Sequence, residues 1–314
     1  MRVLRALAPA KINLGLTVGP VRAADGRHEL VSVMQSISLA DELLLEAAGP
    51  AATADEVLCA GISSEENLAT RALREFRLKT RWDAPALRIT IEKRIPVAAG
   101  LAGGSADAAA TLRLARAASG LGDEDLLRSI ATTLGADVPA QVAPGRWLAT
   151  GAGEDLQALP APDEPLGVLV LPVAAELSTA AVYAQADRLR LTRDRDQLLA
   201  RRGAMVAALG SGEALPADPG LLGNDLQRAA LSLCPEIARA LMAARDCGAE
   251  HVLVSGSGPT VLGLFGAAGG ASGPARARAA ADEARGREPA PIAAASVGEK
   301  FAAAKAAVEG PTAA

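Results

Sequence analysis

Apolar and polar positions alternate first in "AKINLGLTV", where Ile12, Leu14, Leu16 and Val18 face one way and Lys11, Asn13, Gly15 and Thr17 the other. A period of two is the signature of a half-buried strand, and it puts Lys11 and Asn13 on one face. After the turn signal Asp25-Gly26, "ELVSVMQSISL" and "DELLLEA" predict two further strands. "EENLATRALREF" changes to helical spacing, with Asn67 near its start. "LRITIEKRI" returns to period two, setting Leu87, Ile89 and Ile91 against Arg88, Thr90 and Glu92. The stretch "PVAAGLAGGSADAAATLRLA" then reads as a glycine loop opening a helix. Ser105 can cap that helix, and Asp107 falls in its first turn, where a carboxylate meets the positive end of the helix dipole. "DEDLLRSIATTLGADVP" predicts a helix stopped by Gly135 and Pro139, with Asp137 in the exit turn.

The prolines of "LPAPDEPLG", residues 159–167, cannot sit inside a regular element, so a boundary is expected there. Beyond it come the apolar run "LGVLVLPV", a helix from Ser178 that carries Tyr183, and a charged helical region, "RDRDQLLARRGAMVAAL". Two helices, "NDLQRAALSL" and "PEIARALMAARDCG", lead to a strand, a second glycine loop and a strand in "HVLVSGSGPTVLGLFG". From Gly266 the composition shifts to Ala, Gly, Pro, Arg and Glu, which predicts a helix over "ARARAAADEARG" and loose order after it. The expected division is a first domain over 1–160, a second over 161–270, and a tail over 271–314 that is partly helical or disordered.

Half of the 314 residues are hydrophobic, yet there are only two Trp, one Tyr and three Phe, so the core must be aliphatic. With 32 basic and 36 acidic residues, the chain lacks the basic surplus of a protein whose main partner is nucleic acid or an anionic membrane. Cys59, Cys234 and Cys247 form no CxxC pair, which argues against a disulfide framework or zinc site, and His28 and His251 are too few for a histidine-rich metal centre. No apolar run is long enough for a signal peptide or a membrane span, so a cytoplasmic protein, monomer or homodimer, is expected.

A strand, a glycine loop and a helix leave backbone N–H groups without partners, and glycine lets a polyanion approach them closely. The two common phosphate loops do not fit, because GxxxxGK[ST] needs a lysine where Gly104 stands and GxGxxG needs a glycine at Ala102. Read alone, the loop is either an anion site or a turn into a helix. Asp137 serves equally as a turn former, Lys11 as a solvated lysine, His28 as a loop histidine and Tyr183 as a core residue. No GxSxG elbow points to a serine hydrolase.

Taken together, "PAKINL", "DGRHEL", "IPVAAGLAGGSADAAATL", "LGADVP" and "VSGSGPT" stand in the order and at about the spacing of the GHMP family of small-molecule kinases. The chain resembles that family from about residue 8 to residue 265. The resemblance implies an α+β fold of two domains, the first like domain 2 of ribosomal protein S5 and the second ferredoxin-like, with the active site in the cleft between them. It also implies transfer of the γ-phosphate of ATP, with Mg²⁺, to a small cytidyl diphosphate substrate, at the 2-hydroxyl of a cytidine-linked methylerythritol of the non-mevalonate isoprenoid route.

By the same resemblance, Pro96, Val97, Ala98, Ala99, Gly100, Leu101, Ala102, Gly103, Gly104 and Ser105 wrap the ATP phosphates, and Ser105 offers an oxygen to Mg²⁺. Asn67 and Lys93 match positions close to the nucleotide. Asp137 and Lys11 match the catalytic pair, a base or orienter with a charge stabiliser. His28 and Tyr183 match the residues that read and stack on cytosine, Asn13 and Thr179 further substrate contacts, and Ser257 a place near the substrate diphosphate. Three departures stand out, and one is that the tail does not resemble the family's usual final strand. Arg27 replaces the tyrosine of "DGYHEL", although a guanidinium can also stack on a base. Ala98, Ala99 and Ala102 replace common glycines, so the loop is expected to use conformations open to alanine. A kinase of the homoserine or mevalonate type and a nucleotide-binding homologue without catalysis remain the alternatives.

Overall fold

The structure, a computed structural model, describes residues 2–307. In chain order the first half forms β1 (Leu4–Val21), β2 (His28–Ala47), β3 (Glu56–Cys59), α1 (Leu68–Thr80), β4 (Leu87–Glu92), α2 (Gly103–Ser119), α3 (Glu124–Leu134), α4 (Val138–Val142), β5 (Arg146–Thr150) and β6 (Asp155–Leu159). The second half continues with β7 (Gly167–Leu171), α5 (Thr179–Arg188), α6 (Arg195–Leu209), α7 (Gln227–Leu233), α8 (Ile237–Asp246), β8 (His251–Val254) and β9 (Val261–Phe265). It closes with α9 (Gly273–Glu283), β10 (Ile292–Ala295), α10 (Glu299–Ala302) and β11 (Lys305–Ala306).

The first sheet has seven strands in the order β11-β1-β2-β4-β3, with β5 joining β2 and β6 joining β5. Its core is aliphatic, as the composition requires: Ile12 and Leu14 of β1, Leu43 and Leu45 of β2 and Ile89 of β4 are inaccessible to solvent and pack with the alanines of α2. The second sheet runs β10-β7-β9-β8, antiparallel throughout, with α5 to α8 between β7 and β8 and α9 between β9 and β10. That is the βαββαβ order of a ferredoxin-like unit, so the two-domain α+β expectation holds.

Four local expectations change. The two strands expected after Gly26 are one continuous β2, whose pairing jumps from Pro9↔Ala40 to Lys11↔Ser36. The break in alternation around Ile37–Leu39 is therefore a bulge in a long strand and not a turn. Helix α2 starts three residues earlier than a Ser105 cap would give. Ala102, left-handed at φ +56°, is the cap residue and makes no side-chain bond, which leaves Ser105 inside the first turn and Asp107 beyond it. Pro139 opens α4 instead of stopping α3, since a proline in a first turn costs no helical hydrogen bond.

The fourth change is the expected tail. It contributes α9 and β10, the last helix and strand of the second unit, and β11, which pairs Lys305 and Ala306 with Arg5 and Leu4. "IAAA" is too short and too uniform to carry a period, so its pairing with β7 is legible only in three dimensions. The tail's last residues, 308–314, lie outside the described residues.

Candidate functional site

A cavity of about 750 Å³ opens between the two sheets. Lys11, Asn13, Arg27, His28, Gly100, Ala102, Asp137, Thr179, Tyr183 and Ser257, all singled out in the sequence, line it together. Asn67, Lys93 and the remaining loop positions Pro96, Val97, Ala98, Ala99, Leu101, Gly103, Gly104 and Ser105 lie outside this lining.

Strand alternation sends Lys11 and Asn13 the same way, and both are buried because the second half of the chain covers that face. Lys11 Nζ donates to Asn13 Oδ1 at 2.9 Å, Asn13 Nδ2 to Ser32 Oγ at 2.7 Å, and Ser32 Oγ to the Gly15 carbonyl at 2.8 Å. This chain fixes the Asn13 amide and holds the ammonium in place. Across the cavity, Lys11 Nζ lies 3.5 Å from Asp137 Oδ1. Asp137 occupies the cap position of α4, yet its side chain makes no capping bond. Its carboxylate, about one-third exposed, is left to the cavity and to Lys11.

At the wall formed by the turn before β2 and by α5, the His28 and Tyr183 rings lie 5.3 Å apart, tilted by 31°. His28 Nδ1 is 2.9 Å from the Gly19 carbonyl oxygen, and Nε2 is 3.3 Å from the Asp187 carboxylate. Burial, reinforced by the Asp137 carboxylate, pushes the Tyr183 hydroxyl up to about 12. Arg27 reaches over the rim and donates to the Ala152 carbonyl at 2.6 Å, in the turn that Glu154 braces by accepting the Ala152 N–H. Thr179 and Ser257 share a hydroxyl–hydroxyl bond of 3.0 Å. Asp187 escaped the sequence reading, although it stands four residues after Tyr183, on the same face of α5.

The glycine loop departs from expectation at two alanines. Ala98 and Ala102 both sit at φ +56°, left-handed backbone that costs roughly 1–2 kcal/mol for any residue with a Cβ. Gly100, at φ +74°, lies so close to the second glycine loop that a Cβ built on it would stand 2.7 Å from the Gly258 carbonyl oxygen. The Leu101 carbonyl accepts the Lys11 N–H at 3.1 Å, which ties the loop to β1. Ala106 is the first N–H of α2 to reach a carbonyl, that of Ala102 at 2.9 Å. Among the described residues the N–H groups of Gly103, Gly104 and Ser105 take no partner, and they stand at the positive end of a 17-residue helix, where negative charge is favoured.

Beneath the loop lies a buried ionic cluster. Lys93 Nζ donates to Asp41 Oδ2 and, at 2.9 Å, to Asp107 Oδ2. Burial works against the Lys93 charge, but the two carboxylates overcome it and raise its pKa. Burial pushes the Asp107 carboxyl above the usual carboxylate range, with Asp41 adding to the shift and Lys93 opposing it. Asn67 caps α1 by accepting the Ala69 N–H at 2.9 Å, and the neighbouring Leu68 borders Gly104. Asp41 carried no sequence signal, being one of four acids in β2, with a partner 52 residues away. Among the described residues, no group of three or more His, Cys, Asp or Glu side chains gathers to hold a metal ion, and no helix is long and apolar enough to cross a membrane.

Two family models match the chain: the GHMP kinases N terminal domain over residues 67–145 and the GHMP kinases C terminal over residues 205–289. The 4-diphosphocytidyl-2-C-methyl-D-erythritol kinase of Mycolicibacterium gilvum is 44% identical over 270 residues, 84% of this chain and 82% of that one. The protein of the same name from Nocardia farcinica is 44% identical over 262 residues, 81% of this chain and 82% of its own. A crystal structure of 4-(cytidine 5'-diphospho)-2C-methyl-D-erythritol kinase superposes with a TM-score of 0.72 at 34% identity, covering 93% of this chain and 98% of that one. With both halves matched and this identity sustained over most of its length, the chain belongs to the GHMP kinase family.

Proposed function

We propose that the chain transfers the γ-phosphate of ATP to the 2-hydroxyl of 4-diphosphocytidyl-2-C-methyl-D-erythritol. The observation that carries this reading is one cavity lined at once by Gly100 and Ala102 of the glycine loop, a lysine–carboxylate pair and an aromatic and imidazole wall. Phosphoryl transfer asks a protein mainly for alignment and charge neutralisation. The free amides of Gly103, Gly104 and Ser105 supply the phosphate end. Asn67 and Lys93 border the nucleotide there.

In the transfer, the acceptor oxygen bonds to the γ-phosphorus as the bond from that phosphorus to the β–γ bridging oxygen breaks, and ADP leaves. The hydroxyl proton passes to the Asp137 carboxylate, while the Lys11 ammonium offsets negative charge gathering on the acceptor oxygen. Asn13, Thr179 and Ser257 hold the acceptor and its diphosphate. His28 reads the cytosine edge and Tyr183 offers it a ring face. The Arg27 guanidinium covers the rim, where it can stack on a base.

Mg²⁺ fits this donor set as an ion that would be carried mainly by phosphate oxygens and water, with the half-buried Ser105 hydroxyl offering a protein oxygen. When bound it neutralises phosphate charge.

A coupled ADP-release assay with ATP, Mg²⁺ and the cytidyl substrate tests the proposal. Asp137→Ala is expected to lose roughly 10²–10⁴-fold in kcat. Wild-type turnover no greater than that of the variant would refute the reading. Saturable CMP binding, abolished by His28→Ala, separates this acceptor from those of other members of the family.

A further inference from the structure

We propose that Asp41, Lys93 and Asp107 form a clamp that draws the two ends of the glycine loop together, with Asp41 and Asp107 as positioning residues for its amides. The loop begins after Ile95 and ends at Gly103, where α2 starts. Asp41 is fully buried on β2. Its Oδ1 accepts the N–H groups of Arg94 at 2.6 Å and Ile95 at 2.8 Å, the last two residues before the loop. Its Oδ2 accepts the Lys93 ammonium, which crosses to Asp107 Oδ2 on α2, just after the loop. Gly103 closes against the same place, since a Cβ built on it would lie 3.2 Å from both Lys93 Nζ and Ile95 Cγ2.

The loop needs such a device. Its two left-handed alanines hold backbone that persists only where the surroundings over-determine it. A buried carboxylate is costly unless paired and hydrogen-bonded, and Asp41 meets three donors, all from the segment that enters the loop. Buried ion pairs are poor sources of net stability, so this one is better explained by the geometry it enforces. The clamp itself needs no nucleotide; its functional consequence rests on the reading of the loop as the ATP site.

Hydrogen exchange of the ligand-free protein tests the clamp directly. In Asp41→Asn, Asp107→Asn and Lys93→Met, the amides bonded at the two ends of the loop, those of Arg94, Ile95 and Ala106, are expected to exchange roughly tenfold faster, while those of β1 and β2 keep their protection. In the two aspartate variants KM for ATP is expected to rise by about tenfold, with KM for the alcohol acceptor held within about twofold. Lys93→Met combined with Asp107→Asn is expected to be no worse than Lys93→Met alone, because both cut one bridge. Unchanged exchange at the two ends of the loop, or a loss of protection spread evenly through the domain with both KM values moving together, would overturn the proposal. If Asp41→Asn does not fold, Asp107→Asn and Lys93→Met test the same bridge from its other members. A loop that loosens in the variants of a wild type unable to consume ATP would keep the clamp and remove the kinase reading.

Discussion

Gly100→Ala tests how closely the two glycine loops depend on each other. The backbone there has φ +74°, and the new Cβ would lie 2.7 Å from the Gly258 carbonyl oxygen and 3.1 Å from that of Ser255. Ala98 and Ala102 already occupy left-handed backbone in this loop, so φ alone, at roughly 1–2 kcal/mol, does not forbid alanine. The decisive effect is overlap with main chain, which cannot rotate away as a side chain would, and overpacking of this kind costs roughly 1–3 kcal/mol. The loops must part, and loss of even about 2 kcal/mol of transition-state alignment lowers kcat/KM for ATP by roughly 30-fold. Initial rates against ATP concentration at saturating acceptor, with Tm measured alongside, give the answer. Gly104→Ala is the stability control, since its Cβ would meet only Leu68 Cδ1 at 3.9 Å and alanine favours the helix, so its Tm should hold or rise. A Gly100→Ala enzyme within about threefold of wild type would refute the steric argument.

Ala98→Gly with Ala102→Gly should relieve two left-handed alanines, and after the extra freedom glycine gives the unfolded chain, a net gain of about 1–2 kcal/mol remains. That gain should appear as a rise in Tm of roughly 2–4 °C, whereas a fall would show that the alanine methyls pack favourably. Tyr183 is the only tyrosine, so tyrosinate absorbance reports one group. Its folded pKa is raised from 10.0 to about 12, so the stability it contributes is whole below 10 and is lost as pH rises through about 12. The titration midpoint should fall in Asp137→Asn, because that carboxylate adds to the rise, yet stay above the ordinary value because burial is the larger cause.

Much of the site was legible because strand and helix periods fix which side chains share a face. Alternation placed Lys11 beside Asn13, and the Ser178 cap fixed the start of α5 and thus where Tyr183 points. The segments least legible were those whose structure is decided by distant partners. The bulge in β2 answers the register of β1, and β10 is a strand because the edge of β7 is there to pair with it. Asp187 meets His28 across 159 positions, so no local window could join them.

The glycine loop shows why composition misleads where backbone conformation is set from outside. Alanines at 98 and 102 imply ordinary φ from local energetics alone, yet both are left-handed. A loop held only by its own preferences would relax out of that geometry, because left-handed alanine costs more than the thermal energy at room temperature. The structure meets this cost with contacts from outside the loop: Leu101 to β1, Gly100 to the second glycine loop, and Lys93 between two buried carboxylates. Each removes one way for the loop to relax, and the amides of Gly103 to Ser105 take no partner among the described residues. The proposed anion site is thus a property of how three separate segments converge, and a motif search limited to residues 96–105 sees only one of them.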